Sequence, residues 1–178
     1  MYTREQLERY PYFAEQLKKT DITALLDPLT GLISRGYILW FAQWLIEHEI
    51  PFSYGMLDLD NFKFINDTYG HHVGDAVLVQ VAEHLAKSLE WFGLAGRFGG
   101  DEMLAVITGE CVPEQIKYDI NRRLNRYNAK EGKPYLISAS MGIYRTDSTK
   151  NTDFEFLVKE TDADMYAEKL AKRRHLSE

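Results

Sequence analysis

The stretch Arg97–Met103 has the sequence RFGGDEM and lies between two short apolar runs, 94–95 and 103–107. This pattern predicts a β-hairpin whose tip carries acid groups. Two glycines let the backbone take positive φ and let a ligand approach closely, and Asp101 and Glu102 place negative charge where that ligand would lie. The alternative is an ordinary polar hairpin, and this stretch alone does not decide between that and a metal or nucleotide site.

Hydrophobic periodicity on both sides of the hairpin predicts a sheet covered by helices. Strand patterns occupy 52–59 and 136–144, and helical patterns occupy 34–49, 75–89, 113–128 and 153–173. These elements do not alternate as a doubly wound parallel sheet requires. The sequence therefore predicts an α+β fold of the two-layer type, with a central, mostly antiparallel β-sheet flanked by helices.

The first 26 residues are expected to form a helical lead-in ahead of the main domain, 27–178. Apolar residues recur at helical spacing through 4–26, and Pro11 suits the start of a helix. Asp27 and Pro28 end this pattern and begin a turn.

Composition restricts the class of protein. Of the 178 residues 45% are hydrophobic, enough for the core of one domain. The net charge of −6 argues against a general nucleic-acid binder, but it does not exclude a nucleotide substrate because a metal ion can supply positive charge. A single cysteine excludes an internal disulfide. We expect a cytoplasmic location, because no apolar run reaches roughly 18 residues and no secretory leader is predicted, although a longer parent could be membrane-anchored.

A second acidic cluster follows the first predicted core strand. Residues two apart in a strand point to one face, so Asp58 and Asp60 start on the same side, and the Leu59 carbonyl stays available. Oxygen ligands of this kind suit Mg²⁺. The alternative is a pair of solvated acids at a strand end. An EF-hand is excluded, because Lys63 and Tyr69 stand where that loop needs Gly and Glu.

The segment 61–75 is rich in side chains that could contact a nucleobase. Asn66 can both donate and accept hydrogen bonds, and the Asp75 carboxylate can accept from guanine N1–H and its exocyclic amine together. The alternative role for Asp75 is an N-cap of the helix that follows it. His71 and His72, adjacent in a predicted loop, lack the spacing of a helical zinc pair and are interpreted as structural.

From residue 27 to residue 174 the chain resembles a GGDEF domain, the diguanylate cyclase family. The matching segments, in family order and spacing, are DPLTGL at 27–32, DLDNFK at 58–63, ND at 66–67, GH at 70–71, GD at 74–75, RFGGDE at 97–102, SMGI at 140–143 and DADMYAEK at 162–169. The resemblance implies a fold similar to the nucleotide cyclases and the polymerase palm. It also implies condensation of two GTP molecules into cyclic di-GMP and two pyrophosphates. Each domain would hold one GTP, so a second GGDEF domain must face it, and a sensor domain is the expected regulator.

The resemblance assigns a metal site and a catalytic group. Asp58, the carbonyl of Leu59 and Asp101 would bind Mg²⁺ or Mn²⁺, with Glu102 sharing in the metal site or orienting the attacking 3′-hydroxyl. Asp101, Glu102 and Lys63 are the expected catalytic residues.

The resemblance also assigns a substrate site. Asn66 and Asp75 would bind guanine, and the backbone amides near Phe62 and Lys63 would cradle phosphates. Lys63, Lys169 and Arg173 would neutralise phosphate charge. For Lys169 and Arg173 the alternative is a basic last turn that complements the helix dipole.

Several positions depart from the family pattern. Met103 stands where Phe is usual, and the expected effect is on packing because both are apolar. Lys172 and Arg174 replace the usual Gly and Asn, which weakens the match around Arg173.

Glu90 and Gly93 stand where many members carry an Arg-x-x-Asp product-inhibition site. We therefore expect no product inhibition through that site, and tight binding of cyclic di-GMP to the isolated monomer at this surface would contradict the expectation.

Two functions stay open at this point. The first is an active diguanylate cyclase. The second is a catalytically silent GGDEF module that binds nucleotide or a partner and transmits a signal. Silent members generally lose the signature acids, and the presence of Asp58, Asp101 and Glu102 favours the first.

Overall fold

The computed structural model describes residues 2–110, 112–146 and 153–175, with side chains described as far as Lys172. The helices are α1 (Arg4–Glu8), α2 (Pro11–Gln16), α3 (Ile22–Leu25), α4 (Arg35–Glu47), α5 (Phe62–Tyr69), α6 (His71–Leu89), α7 (Pro113–Glu131) and α8 (Phe154–His175). The strands are β1 (Ser53–Leu59), β2 (Gly93–Gly99), β3 (Glu102–Ile107) and β4 (Ala139–Arg145). In the described part of the chain, no helix is long and apolar enough to cross a membrane.

The four strands form one antiparallel sheet in the order β2-β3-β1-β4. The hairpin predicted from the central glycines joins β2 to β3, and the predicted strand 52–59 is β1. In the register, Asp58 of β1 lies opposite Glu102 of β3 and Ser140 of β4. The predicted fold class, a mostly antiparallel sheet flanked by helices, is therefore confirmed.

Strand β1 is buried along nearly its whole length because helices cover the sheet on both faces. Gly96 and Gly142 lie in one cross-strand row, and they allow close approach of α4 and α8 to the same face. A Cβ on Gly96 would meet Ile38 of α4, and a Cβ on Gly142 would meet the backbone of α8. Helices α6 and α7 pack together and contact β2 and β4.

The N-terminal segment, expected to be helical over 4–26, consists of the three short helices α1, α2 and α3. Pro11 opens α2, as predicted, and Asp21 caps α3 by accepting a hydrogen bond from the Thr23 amide. The segment packs on the rest of the chain, because Leu7 and Phe13 are fully buried in the common core. The Tyr2 hydroxyl accepts a hydrogen bond from the amide of Ala95 on edge strand β2 at 2.7 Å. The boundary at residue 26 remains a prediction.

The segment 62–75 is helical apart from Gly70, which lies between two helices. Asn61 adopts a left-handed conformation and leads into α5, and Gly70 (φ +87°) separates α5 from α6. The expected placement of His71 and His72 in a loop was wrong, because they begin α6. Asp75 lies inside α6, so the N-cap alternative for this residue was also wrong and its carboxylate is not used to cap the helix.

The His84 side chain of α6 is half-buried against α7. Its ring lies 5.7 Å from the Tyr127 ring of α7, and neither ring nitrogen has a hydrogen-bond partner among the described residues. Burial lowers the His84 pKa; Glu83 opposes this, while Lys87 and Arg123 add to it. The unfolded chain thus binds a proton more readily than the folded chain.

We predict that the free energy of unfolding falls as the pH drops below the ordinary histidine pKa of 6.5 towards the lowered value. Urea unfolding at about pH 8 and about pH 5.5 measures this. The difference in the free energy of unfolding between the two pH values should be smaller in His84→Gln than in the wild type. His71→Gln, at an exposed position, should keep the wild-type difference. Equal pH dependence in His84→Gln and wild type would show that His84 contributes nothing.

Candidate functional site

The hairpin between β2 and β3 is held by Arg97. Its guanidinium lies 3.4 Å from the Asp27 carboxylate and donates to the Gly100 carbonyl at 3.1 Å. Asp27 also accepts hydrogen bonds from the amide and the hydroxyl of Thr30. Burial opposes ionisation of Asp27, but these hydrogen bonds and the Arg97 charge lower its pKa overall. The turn at 27–32 and the hairpin tip therefore form one connected unit.

The two glycines of the hairpin leave open space, but they do not use left-handed backbone. Neither is among the residues with positive φ, so this part of the sequence-based expectation was wrong. The β2–β3 register shifts between Arg97 and Gly99, and the chain turns at residues 100–101. A Cβ on Gly100 would meet nothing within 4 Å, and one on Gly99 would meet only the Glu102 carboxylate at 4.0 Å. The second expectation, room for a ligand to approach, fits this geometry.

Acidic side chains gather where β1 and the hairpin meet. Asp58 and Glu102 are cross-strand partners, and the Leu59 amide faces the Asp101 carbonyl at 3.4 Å. Burial raises the Glu102 pKa, and the charges of Asp58, Asp101 and Asp162 raise it further. The structure thus brings together the predicted metal ligands Asp58, Leu59, Asp101 and Glu102.

A lysine stands beside these acids. Lys169 of α8 places its ammonium 2.7 Å from the Asp58 carboxylate. Within residues 2–110, 112–146 and 153–172, no three His, Cys, Asp or Glu side chains are already close enough together to hold a metal ion. The donor set nevertheless suits a hard divalent cation, because carboxylates and a backbone carbonyl are its preferred ligands and the acids repel one another.

The predicted base-binding residues lie on α5 and α6, directly after β1. Asn66 of α5 lies against Gly74 of α6, where a Cβ would stand 1.9 Å from the Asn66 amide oxygen. Gly74 therefore lets the two helices approach with Asn66 between them. Asp75 follows Gly74 and is exposed.

The first turn of α5 follows Asp58 and Asp60 directly in the sequence. Phe62 is half-buried and Lys63 is exposed. Asn61 makes no side-chain cap, so the amides of Phe62 and Lys63 belong to a helix start without side-chain acceptors. The predicted phosphate-binding residue Arg173 lies in α8, and its side chain is outside the described residues.

Two residues of this region carry roles that the sequence did not reveal. Asp162 lies on α8 near enough to influence Glu102. Its separation of seven residues from Lys169 places both on one helix face, a signal present in the sequence. Asp60 accepts hydrogen bonds from the hydroxyls of Ser138 and Ser140 at 2.6 and 2.8 Å, which no sequence pattern indicates.

Comparison with known proteins decides the family. A family model described as the diguanylate cyclase GGDEF domain matches residues 24–175. The chain belongs to the GGDEF family. This GGDEF domain is 32% identical to the diguanylate cyclase DgcP of Escherichia coli, with 90% of the chain and 50% of DgcP covered. It is 29% identical to the response regulator PleD of Caulobacter vibrioides, with 96% of the chain and 40% of PleD covered.

A solved structure supports the same assignment. The diguanylate cyclase SiaD of Pseudomonas aeruginosa, in complex with its activator SiaC, matches this GGDEF domain with a TM-score of 0.75 and 27% identity. The match covers 92% of the chain and 65% of SiaD. The chain spans half the length or less of PleD and DgcP, so it corresponds to one part of those proteins.

Proposed function

We propose that this chain is a diguanylate cyclase that condenses two GTP molecules into cyclic di-GMP and releases two pyrophosphates. The observation that carries the proposal is the gathering of Asp58, Asp101 and Glu102 beside the start of α5. The relatives DgcP and SiaD, both named diguanylate cyclases, support it. Each domain would hold one GTP, and two domains would face each other so that each 3′-hydroxyl attacks the other α-phosphate.

Mg²⁺ or Mn²⁺ is the proposed cofactor. Asp58, the Leu59 carbonyl and Asp101 would hold it, with Glu102 at the edge of the site. When bound, such an ion withdraws charge from the α-phosphate and the leaving pyrophosphate.

The basic groups would bind the triphosphate. Lys63 and the first amides of α5 would contact phosphate oxygens that point towards the end of β1. Lys169, 2.7 Å from Asp58, would exchange that carboxylate for a phosphate when substrate enters, and Arg173 would add a second charge from α8. These contacts neutralise negative charge and align the reacting groups, the main protein contributions in this type of reaction.

Glu102 is the proposed group for the attacking hydroxyl. Burial and three neighbouring acids raise its pKa, which makes its carboxylate a better proton acceptor than an ordinary glutamate. It would orient the 3′-hydroxyl or take its proton as the new phosphodiester bond forms.

Asn66 and Asp75 would select guanine. Because Asp75 caps no helix, its carboxylate is free to accept from N1–H and the exocyclic amine, a donor pair that adenine lacks. We predict kcat/KM for GTP at least about 100-fold above that for ATP. The variant Asp75→Ser should reduce this ratio about 10-fold or more, mainly by lowering kcat/KM for GTP. Steady-state kinetics with both nucleotides measures it, and equal turnover by the wild type would refute the assignment.

The proposed reaction also implies which partners and which location this chain requires. A second copy supplies the other half-site, and a sensor domain in a longer parent would control how the two copies meet. Cytoplasmic GTP would be the substrate pool, so we propose a cytoplasmic location for this domain.

The proposed function is tested by product analysis. The chain is incubated with GTP and Mg²⁺, alone and fused to a dimeric coiled coil, and nucleotides are separated by chromatography. Cyclic di-GMP from the fused protein supports the proposal. Tight GTP binding without any product, even from the fused dimer, supports the alternative of a silent nucleotide-binding module.

A further inference from the structure

Two hydrogen bonds fix the direction of one peptide group at the end of β1. The Leu59 amide points towards the hairpin and faces the Asp101 carbonyl at 3.4 Å, whereas the Asp60 amide points to the other side and donates to the Ser138 carbonyl at 2.8 Å. The peptide between Leu59 and Asp60 is planar and trans, so its C=O points opposite to its N–H. The Leu59 carbonyl is therefore directed towards the hairpin that carries Asp101.

The Asp60 side chain secures this arrangement. One carboxylate oxygen accepts from the Ser138 hydroxyl at 2.6 Å and the other from the Ser140 hydroxyl at 2.8 Å. Both serines belong to the chain entering β4, beside the end of β1. With both oxygens occupied and its amide bonded to Ser138, Asp60 has little freedom to rotate the peptide that precedes it.

Lys172 of α8 forms an ion pair with Asp60. Its ammonium lies 3.7 Å from the Asp60 carboxylate and 2.9 Å from that of Glu168, and it donates to the Ala139 carbonyl. The Lys172 and Asp60 side chains are only 28% and 19% exposed, so solvent screens their attraction less than at an open surface. Lys172 thus joins α8, β4 and the end of β1 at one point.

We propose that Asp60 and Lys172 are a positioning pair that holds the Leu59 carbonyl towards Asp101 and so sets the affinity of this site for a divalent cation. The inference rests on the proposed function, in which that carbonyl is a metal ligand. Neither side chain touches the substrate or the ion. Their effect is exerted through the peptide group that they immobilise.

The test measures metal binding directly. Mn²⁺ is titrated into the full chain in the presence of a non-hydrolysable GTP analogue, and the free ion is followed by electron paramagnetic resonance. We expect Lys172→Met and Asp60→Asn to weaken Mn²⁺ binding about 10-fold or more, the size found for lost outer-shell partners of metal ligands. Lys172→Arg, which keeps the charge, should recover most of the affinity. The exchange rate of the Asp60 amide hydrogen should rise in Lys172→Met.

Lys117→Met is the matched control. Lys117 pairs with Asp164 at 2.5 Å between α7 and α8 and lies 4.0 Å from Glu168, the other partner of Lys172, but among the described residues it forms no ion pair with Asp60. Its loss therefore disturbs the same helix without removing the charge that faces Asp60. If Lys117→Met weakens Mn²⁺ binding as much as Lys172→Met at a similar Tm, the effect is general and the positioning role is wrong. Wild-type affinity in Lys172→Met also overturns it. If the wild type binds no Mn²⁺, or if its Mn²⁺ binding does not depend on Asp101, the proposed function itself fails.

Discussion

Asp101→Ala should lower the rate of cyclic di-GMP formation by at least about 1,000-fold, while the protein stays folded. Asp101 is only half-buried, in the turn of the hairpin, so loss of its side chain should leave Tm close to the wild-type value. The same carboxylate is proposed to hold the divalent cation, and its removal would leave the charge on the reacting phosphates uncompensated. Initial rates of product formation at saturating GTP and Mg²⁺ measure the effect.

The control removes a charge of the same sign elsewhere. Glu90 is an exposed acid just before β2, at the opposite end of that strand from the hairpin, and Glu90→Ala should keep activity within about twofold. Substantial turnover by Asp101→Ala would remove this residue from the catalytic machinery and leave Asp58 and Glu102 as the acids to examine.

Gly142→Ala should cause a large loss of stability. A Cβ at this position would lie 2.0 Å from the Thr161 carbonyl oxygen and 2.6 Å from the Met165 amide nitrogen, both backbone atoms of α8. Backbone cannot give way as a flexible side chain can, so α8 must move off the sheet. We expect a loss of about 3 kcal/mol or more, or a Tm lowered by roughly 6–12 °C.

Movement of α8 should also disturb the acidic site at the end of β1. Lys169 and Lys172 are carried by α8, so the pair between Lys169 and Asp58 would be strained and activity should fall together with stability. Gly36→Ala is the matched control, because a Cβ there meets nothing within 4 Å and Ala is favoured over Gly in a helix. Thermal denaturation of both variants decides the matter, and an unchanged Tm in Gly142→Ala would contradict the packing of α8 on β4.

The sequence predicted the sheet better than its surroundings. The hairpin and β1 were predictable because short apolar runs end at glycines or acids, a local signal that tertiary packing reinforces. The helical character of the N-terminal segment and the helix start at Pro11 were predictable from the apolar spacing and from the preference of Pro for the first helical turn. The break before Asp21 and the burial of Leu7 and Phe13 were not predictable, because they depend on contacts with the rest of the core.

The candidate site was predictable in its residues but not in its pairings. Asp58, Asp101 and Glu102 were identified from motifs, and the register of β1 against β3 brings Asp58 and Glu102 opposite each other. The contact between Lys169 and Asp58 could not be derived, because it depends on how α8 lies across the sheet. The serines that bind Asp60 escaped notice for the same reason, since they are 78 and 80 residues away in the chain.

The proposed cyclase activity is tested most directly by mass spectrometry of the nucleotide that the chain, fused to a dimeric coiled coil, makes from GTP and Mg²⁺. The fused dimer should yield cyclic di-GMP and two pyrophosphates for each product molecule, with none from the same fusion carrying Asp101→Ala. Unreacted GTP, or a product other than cyclic di-GMP, from a fused dimer that is folded and binds GTP would contradict it.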